Sequence, residues 1–349
     1  MTMPASPKTD PKPPIDDQVL YITTQATQLG VRNNQYVVRD LDSSDSDEAD
    51  SGSSTLGTYP VKKIETINVF GRGVDVTSGA IATAATHDTA INFFTTNGRS
   101  KGQFRAQETS VAVLHEQQHT LNDTDRLSIS KRLVLGKVIN ARRYLERKDI
   151  DISTDSPLTT APHRIQTATT FNELRGIEGD AAKQYFALYD ETLLDGWSME
   201  GRSRQPPGDH TNALLSLTYT FLCNECKGAL CQVNLDPYIG IFHQMRHGRP
   251  ALALDLIEEF RRGFADPFVA RVINRRVFEH DDFTKANELT DTGFDQYLAK
   301  FEGYMSEELS HEHLERTLTR RETIRLQANL LRKRITHELD EYPPFEISR

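Results

Sequence analysis

Three side chains in the second half of the chain have the chemistry of ligands for a divalent cation. Glu178, His243 and Glu258 each lie within an otherwise apolar helical pattern. A charged group placed against apolar surroundings needs a partner, because its removal from water is costly. A divalent cation shared by the two carboxylates and the imidazole is one such partner.

Each of these residues also has a structural explanation. Glu178 could pair with Arg202 or Arg204, and a lone histidine such as His243 is usually a satisfied core residue. Glu258 could be a solvent-facing acid of an ordinary amphipathic helix. The sequence leaves these alternatives open for each residue taken alone.

Two further polar residues are predicted to support the site. Asp255 precedes Glu258 by three positions, which places both on one side of a helix. One could then bind a cation while the other positions a ligand or a water. Asn212 follows the rigid Pro206–Pro207 entry and falls in the first turns of a helix, where it could orient a carboxylate or a water.

Several other kinds of site are disfavoured. His243 and His247 have the spacing of a zinc-protease motif, but Gln244 replaces the glutamate that such a motif requires. No phosphate-binding GxxxxGK[ST] loop occurs. Cys223 and Cys226 form one CxxC pair without a second pair in register, so a structural zinc site is not expected.

The charge distribution favours a nucleic-acid partner more than the net charge does. The net charge is −9, and residues 40–50 alone hold six acids and no base. Residues 131–148 and 316–334 each hold seven basic residues and one acid. Two basic helical segments suit a DNA-binding surface, although each could be a solvated helix face. The predicted DNA contacts are Arg142, Arg143, Arg202 and Arg262.

The first part of the chain is predicted to be a small antiparallel β domain over residues 18–106. Its segments are rich in β-branched and aromatic residues, and turn-forming residues separate them. The acidic, serine-rich stretch 42–57 is predicted to be an exposed hairpin loop or an insertion. Residues 1–17 read as a disordered tail. The predicted strands are 19–24, 35–41, 61–71 and 90–96.

The hydrophobic period changes to that of helices near residue 125. Residues 107–124 are predicted to link the β domain to a larger all-α catalytic domain over 125–349, with a loop at 150–163. The fold class is therefore α+β. Apart from the helix that begins near residue 125, the predicted helices are 168–195, 210–231, 236–262, 267–280, 292–308 and 312–340.

The sequence does not predict a membrane protein. No apolar run approaches the roughly 20 residues that span a bilayer. The polar, proline-rich N-terminus lacks the apolar core of a signal peptide. We therefore expect a cytoplasmic location.

Taken together in this order, four segments resemble the Cas1 family of CRISPR-associated spacer-acquisition integrases. The resemblance covers about residues 19–347, and it is strongest over 176–262. The matching segments are Glu178–Tyr185 (EGDAAKQY), Asn212–Ser216 with Tyr219, Asp236–Tyr238 through His243, and Leu254–Arg261 (LDLIEEFR).

The resemblance implies a site in which Glu178, His243 and Glu258 are both metal ligands and catalytic residues, with Mn²⁺ or Mg²⁺ as cofactor. It implies that a DNA 3′-hydroxyl attacks a CRISPR repeat by transesterification, with hydrolysis as a related activity. It also implies a homodimer that joins a Cas2 dimer in a heterohexamer. Two other hypotheses remain open at this point, namely a non-catalytic DNA-binding scaffold and a general nuclease for branched DNA.

Overall fold

The structure is a computed structural model, and it does not describe every residue. The described residues are 15–16, 19–41, 54–96, 98, 100–106, 111–199, 201–203, 207–310 and 317–348. Most of the predicted tail, residues 42–53 of the predicted insertion and residues 107–110 of the predicted linker lie outside this set.

The chain forms two compact units, residues 1–109 and 110–349. The described residues of unit 1 form two β-sheets, a 3₁₀ turn over Val61–Lys63 and one α-helix, α1 (Ser78–Thr86). The first sheet has the order β1 (Ile15–Asp16), β2 (Val19–Ile22), β6 (Thr66–Phe70), β8 (Ala90–Phe94) and β9 (Ser100–Phe104). The second has the order β5 (Thr55–Pro60), β4 (Gln35–Asp40), β3 (Thr27–Arg32) and β7 (Val74–Val76).

The α+β fold class is confirmed, but the prediction of a purely antiparallel β domain is wrong. Strands β2, β6 and β8 run parallel at the centre of the first sheet, and β3 pairs with β7 in parallel. Parallel neighbours require a crossover connection, and β7 and α1 supply it between β6 and β8. Strands β4 and β5, which flank the acidic stretch, pair antiparallel as a hairpin does.

Apolar side chains of both sheets and of α1 form the core of unit 1. Helix α1 starts at Thr77, whose hydroxyl accepts a hydrogen bond from the Ala80 amide. Its small residues Ala80 and Ala84 then face the sheets. The fully buried members of this core include Leu20, Ile22, Leu29, Tyr36, Val38, Ile67, Ala80, Ala84 and Ile91.

Unit 2 is mainly helical. Its helices are α2 (Ala112–His119), α3 (Asp123–Glu146), α4 (Pro157–Thr167), α5 (Phe171–Tyr189), α6 (His210–Gln232), α7 (Ala251–Phe260), α8 (Asp266–Asn274), α9 (Asp291–Ser306) and α10 (Arg320–Ile335). A π-helical turn over Arg261–Ala265 joins α7 to α8. The unit is not entirely α, because β10 (Glu308–Ser310) and β11 (Thr317–Thr319) pair as a small antiparallel hairpin. Helix α4 also occupies part of the predicted loop 150–163.

The predicted helix over 236–262 is a loop followed by α7. Residues 235–250 are irregular, and the helix begins only at Ala251. Pro237 and Pro250 interrupt helical hydrogen bonding. Gly240 is packed so tightly that a Cβ there would lie 2.5 Å from the His243 carbonyl oxygen and 2.6 Å from the Ala251 Cβ. His243 therefore lies on a compact loop, not on a helix.

Among the described residues, no helix is both long enough and apolar enough to cross a membrane.

Candidate metal centre

Helix α7 carries three buried carboxylates in a surrounding of apolar residues. Asp255, Glu258 and Glu259 are all buried. Asp255 and Glu258 both approach the ring of His243, whereas Glu259 contacts Tyr342, Phe345 and Gln327. Buried carboxylates need partners, and each of the three has contacts of its own.

The ring of His243 is fixed by Asp255. The Asp255 carboxylate accepts hydrogen bonds from the amides of Ile241 (2.6 Å), Phe242 (3.1 Å) and His243 (2.8 Å). The Nδ1 atom of His243 lies 2.7 Å from Asp255 Oδ1. A tautomer with its Nδ1 proton on this carboxylate would leave the Nε2 lone pair available as a ligand.

Glu178 and Glu258 converge on one cationic group, the ammonium of Lys137. Glu178 comes from α5, whose start is fixed by a capping box between Thr170 and Glu173. Nζ of Lys137, from α3, pairs with Glu178 Oε1 and lies 2.6 Å from Glu258 Oε2. The Nε2 atom of His243 lies 4.0 Å from Glu258 Oε1. Three separate elements, α5, α7 and the loop before α7, therefore bring Glu178, Glu258 and His243 together.

Positive groups surround the Glu258 carboxylate. Nε of Arg261 lies 3.3 Å from Glu258 Oε1, opposite the Lys137 contact. Burial acts to raise the pKa of Glu258, but Arg261, Lys137 and His243 together lower it below its ordinary value. Glu258 is therefore ionised, as a metal ligand must be.

The donor set fits a hard divalent cation. Two carboxylates and one imidazole nitrogen suit Mn²⁺ or Mg²⁺, which prefer oxygen ligands and accept histidine. The two carboxylates already lie on opposite sides of a single positive charge. In the described part of the chain, no three His, Cys, Asp or Glu side chains form a ready cation cage, because Lys137 lies between Glu178 and Glu258.

Helix α5 is partly exposed to solvent around Glu178. Gly176 and Gly179, which flank this residue, are both exposed. The side chain of Glu178 itself is 25% exposed, whereas that of Glu258 is 6% exposed. The site is therefore buried on the α7 side and accessible on the α5 side.

Asn212 is buried but does not contact the three candidate ligands in the described structure. Its side-chain amide donates to Gly201 O (3.0 Å) and Asp209 Oδ2 (2.6 Å). Its carbonyl oxygen accepts from Arg202 Nη1 (2.8 Å) and Ser203 N (3.1 Å). Asn212 organises the start of α6, so the structure does not place it where it could orient a metal-bound carboxylate.

Arg262 is buried and fully engaged, which contradicts its predicted DNA contact. Its Nη1 lies 2.5 Å from Asp266 Oδ2, and its guanidinium lies over the rings of Tyr185 and Phe186. Burial acts to lower the pKa of Arg262, but Asp266 raises it. Arg262 holds α8 against α5 and presents no exposed surface to a phosphate.

The other three predicted DNA contacts have different environments. Arg143 binds Ile347 O and Glu346, so it anchors the C-terminal segment. Arg142 is 34% exposed and pairs loosely with Glu146 at 3.5 Å. Arg202 lines a cleft of about 430 Å³. Arg142 and Arg202 remain predictions as DNA contacts.

The two basic segments are largely structural. In the first, Lys137 and Arg143 serve the contacts described above. In the second, Arg321 is buried against Glu225 and Glu302, while Arg334 pairs with Asp125. Summing charge along a helix does not show which side each residue faces, so the sequence does not separate buried basic residues from exposed ones.

Sequence reasoning missed Lys137 and Arg261. Lys137 is four residues from both Leu133 and Ala141, which are buried, so it lies on the core side of α3. A lysine at a core position of a helix was the available signal that it pairs with an acid. Arg261 gave no such signal, because its direction depends on the π-helical turn after Phe260.

The chain has a β unit followed by a helical unit that holds the candidate site, and comparisons with known proteins identify its class. A family model described as CRISPR associated protein Cas1 matches residues 20–303. The chain is 37% identical to CRISPR-associated endonuclease Cas1 4 of Methanospirillum hungatei, with 98% of this chain and 96% of the relative covered.

Two solved structures share the fold. A casposase bound to integration product has a TM-score of 0.78 and 21% identity, covering 95% of each chain. A Cas6-RT-Cas1–Cas2 complex has a TM-score of 0.71 and 19% identity, covering 98% of this chain and 37% of that one.

The chain belongs to the CRISPR-associated Cas1 family. It is an enzyme of the class of these relatives, the CRISPR-associated endonucleases. The predicted family resemblance and the prediction of an enzyme are therefore confirmed.

Proposed function

We propose that this protein is a DNA integrase that inserts captured DNA fragments into a CRISPR array. The observation that carries the proposal is that Glu178 and Glu258, from two helices, meet at one ammonium group, while His243 Nε2 lies 4.0 Å from the other oxygen of Glu258. Family membership supports the same function. Glu178, Glu258 and His243 would hold Mn²⁺ or Mg²⁺.

The proposed reaction is a transesterification. The oxygen of a DNA 3′-hydroxyl forms a bond to a phosphorus of the repeat, and the bond from that phosphorus to its own 3′-oxygen breaks. The number of phosphodiester bonds is unchanged, and the hydroxyl proton ends on the released 3′-oxygen. When bound, the cation would supply positive charge to the reacting phosphate, as in other phosphoryl transfers.

The chain's own residues would orient the participants. Asp255 holds the His243 ring so that Nε2 faces Glu258. The cleft lined by Arg202, Arg261 and Tyr219 adjoins Glu258 through Arg261, and its guanidinium groups would contact DNA phosphates. The exposed side of Glu178 would face the DNA.

The proposed partners are double-stranded DNA, a second copy of this chain and a Cas2 dimer, in a heterohexamer. The casposase neighbour is bound to an integration product, and another neighbour is part of a complex with Cas2. These descriptions belong to those proteins, and they support the same partners here.

The test is a strand-transfer assay with purified protein, the Cas2 partner, Mn²⁺ and a supercoiled plasmid that bears the repeat. We expect Glu178→Gln to reduce joined product by about 10²-fold or more while DNA binding is retained. The matched control is Glu191→Gln, an exposed acid away from the site, which should leave strand transfer unchanged.

The outcomes separate the competing hypotheses. Full strand transfer by Glu178→Gln would contradict the proposal. DNA binding without any metal-dependent strand transfer in the native protein would instead favour a non-catalytic scaffold. Cleavage of branched DNA, with no joined product and no need for a repeat, would favour a repair nuclease.

A further inference from the structure

Lys137 occupies the position that a divalent cation would take between the two candidate carboxylate ligands. Its ammonium pairs with Glu178 Oε1 on one side and lies 2.6 Å from Glu258 Oε2 on the other. Its side chain is 7% exposed, so water does little to replace either contact. The charge of this lysine is committed to these two carboxylates.

The contact between Lys137 and Glu258 is an ion pair and not a well-directed hydrogen bond. Oε2 of Glu258 is buried, and within the described residues it accepts no hydrogen bond of normal geometry. A buried carboxylate oxygen without a directed donor is incompletely satisfied. A metal–oxygen bond would satisfy this oxygen better, so the Lys137 ammonium is a weaker partner for Glu258 than a divalent ion would be.

A lysine ammonium and a divalent ion cannot occupy this position together. Mn²⁺ or Mg²⁺ binds carboxylate oxygen at about 2.0–2.2 Å, inside the space that Nζ of Lys137 occupies beside Glu258. The two positive charges would also repel strongly in a site that is mostly buried. Metal binding therefore requires Lys137 to move, and its flexible four-carbon stem permits this.

We propose that Lys137 is an internal competitor of the metal, one that holds Glu178 and Glu258 together in the metal-free protein and must leave before the divalent ion binds. This inference rests on the proposed function of Glu178 and Glu258 as metal ligands. It assigns Lys137 a positioning role, since the residue acts on the two carboxylates. The competition lowers metal affinity and stabilises the metal-free enzyme.

The expected effect of removing the lysine has opposite signs in the two states. In the metal-free protein, Lys137→Met leaves two neighbouring carboxylates without their cation, and Tm falls by about 5 °C or more. In the presence of Mn²⁺ the variant has no competitor. If Lys137 blocks the site in most native molecules, the apparent Mn²⁺ dissociation constant is the intrinsic constant divided by the small unblocked fraction. Lys137→Met should therefore bind Mn²⁺ about tenfold more tightly than the native protein.

The experiment measures Mn²⁺ dissociation constants of the full-length chain by calorimetry and by the electron paramagnetic resonance of free Mn²⁺, together with Tm at zero and saturating Mn²⁺. Lys131→Met is the matched control, because Lys131 lies on the same helix and contacts only Gln166 O (3.0 Å) among the hydrogen bonds of the described structure. It should change neither quantity. Lys137→Gln is measured in the same way, and it decides the question if Lys137→Met does not unfold cooperatively.

Tighter Mn²⁺ binding together with a lower metal-free Tm supports the inference. Equal or weaker Mn²⁺ binding by both Lys137 variants overturns it, even if the native protein binds the ion through Glu178. A native protein that binds no Mn²⁺, or that binds it equally well after Glu178→Gln, contradicts the proposed metal site itself. The two failures are therefore distinguishable without any measurement of activity.

Discussion

The buried carboxylate of Asp255 determines where the His243 ring lies. It accepts three backbone amides of the loop and faces Nδ1 of the ring. By binding three consecutive amides, this carboxylate fixes the backbone of the loop, and the loop in turn places the imidazole of His243 near Glu258. The position of the candidate ligand His243 thus depends on the carboxylate of Asp255.

Replacement of Asp255 tests this dependence. In Asp255→Asn the new NH₂ group would face at least one N–H donor of the loop and could not accept its hydrogen bond. We therefore expect a loss of about 2–4 kcal/mol in the free energy of unfolding. Mn²⁺ affinity should fall by about 10–100-fold, as is typical when a residue that orients a metal-bound histidine is lost. Urea unfolding and Mn²⁺ calorimetry measure the two effects.

Asp195→Asn, at an exposed position, is the control for Asp255→Asn and should change neither quantity. A folded Asp255→Asn protein with native Mn²⁺ affinity would show that His243 is held by other contacts.

The charge of Arg262 neutralises the buried carboxylate of Asp266. Because Arg262→Met would leave Asp266 buried without its cation, we expect a loss of about 3–5 kcal/mol in stability. DNA affinity of the folded protein should stay within about twofold of native. Thermal unfolding and fluorescence anisotropy with duplex DNA measure these quantities.

Arg142→Ala is the matched comparison for Arg262→Met. It removes a half-exposed arginine and should cost less than about 1 kcal/mol. A stable Arg262→Met protein with weakened DNA binding would restore Arg262 as a phosphate contact.

At the scale of elements, the C-terminal segment 342–348 completes the packing of α7. Glu259 accepts hydrogen bonds from Tyr342 (2.5 Å), the Phe345 amide (2.5 Å) and Gln327 (2.9 Å). The Phe345 ring packs against Phe260 and Phe264, with centroid distances of 5.5 and 5.0 Å. Residues 342–348 therefore pack against α7, the helix that carries Glu258.

Truncation of the Phe345 side chain should destabilise unit 2. We expect Phe345→Ala to cost about 3–5 kcal/mol, the usual range for a buried phenylalanine. Differential scanning calorimetry measures this loss. Val113→Ala, at a side chain that is 66% exposed, should change stability by less than about 0.5 kcal/mol. Equal Tm values for the two variants would mean that the segment does not dock in solution.

The contact between α3 and α10 gives a pH dependence with a defined sign. The hydrogen bond from Arg334 lowers the pKa of Asp125 below its ordinary value of 3.8. A carboxylate with a lowered folded-state pKa stabilises the protein above its ordinary pKa, and this contribution is lost as pH falls through the folded-state value. Asp125→Asn should therefore be less stable than native at neutral pH, with a difference that shrinks below about pH 4. Tm measured from pH 7 to pH 2.5 checks this, and a constant difference would contradict it.

At the scale of the whole molecule, the internal use of arginine limits the DNA-binding surface. The two basic segments hold fourteen basic residues, and fourteen phosphate contacts would give a slope of about −13 for log K against log salt. Since several of these residues are committed to internal ion pairs, we expect a slope shallower than about −8 per protomer. DNA affinity measured by anisotropy from low to high salt gives this number, and a slope near −13 would show that the internal pairs open on binding.

The sequence predicts the parts of this protein that depend on local patterns. Glu178 and Glu258 stand out because each breaks an apolar helical period, and α5 and α6 have recognisable caps at Thr170 and Asp209. The parallel pairing of β2, β6 and β8 is not visible in this way, because alternation along a strand does not specify its neighbours. The loop at 235–250 was mistaken for a helix because its apolar residues pack against other segments and not along one helix face.

Residue charge gave the least reliable prediction. Lys137, Arg143, Arg262 and Arg334 look alike in the sequence, yet each neutralises a different acid or carbonyl of the interior. Asp266 is only four positions from Arg262, but the partners of Lys137, Arg143 and Arg334 are distant in sequence, so no local window contains both members of those pairs. Only the folded structure distinguishes the arginines in internal ion pairs from the arginines that remain exposed on the surface.

The dependence of α7 on the last residues has a consequence for synthesis on the ribosome. The Phe345 amide that binds Glu259 is 86 positions further along the chain. While those residues are still inside the exit tunnel, α7 would have to bury Glu259 without its donors, which is unfavourable. A nascent polypeptide in which residues 342–348 have not yet folded therefore lacks the donors to Glu259 and has not completed the packing of the helix that carries Glu258.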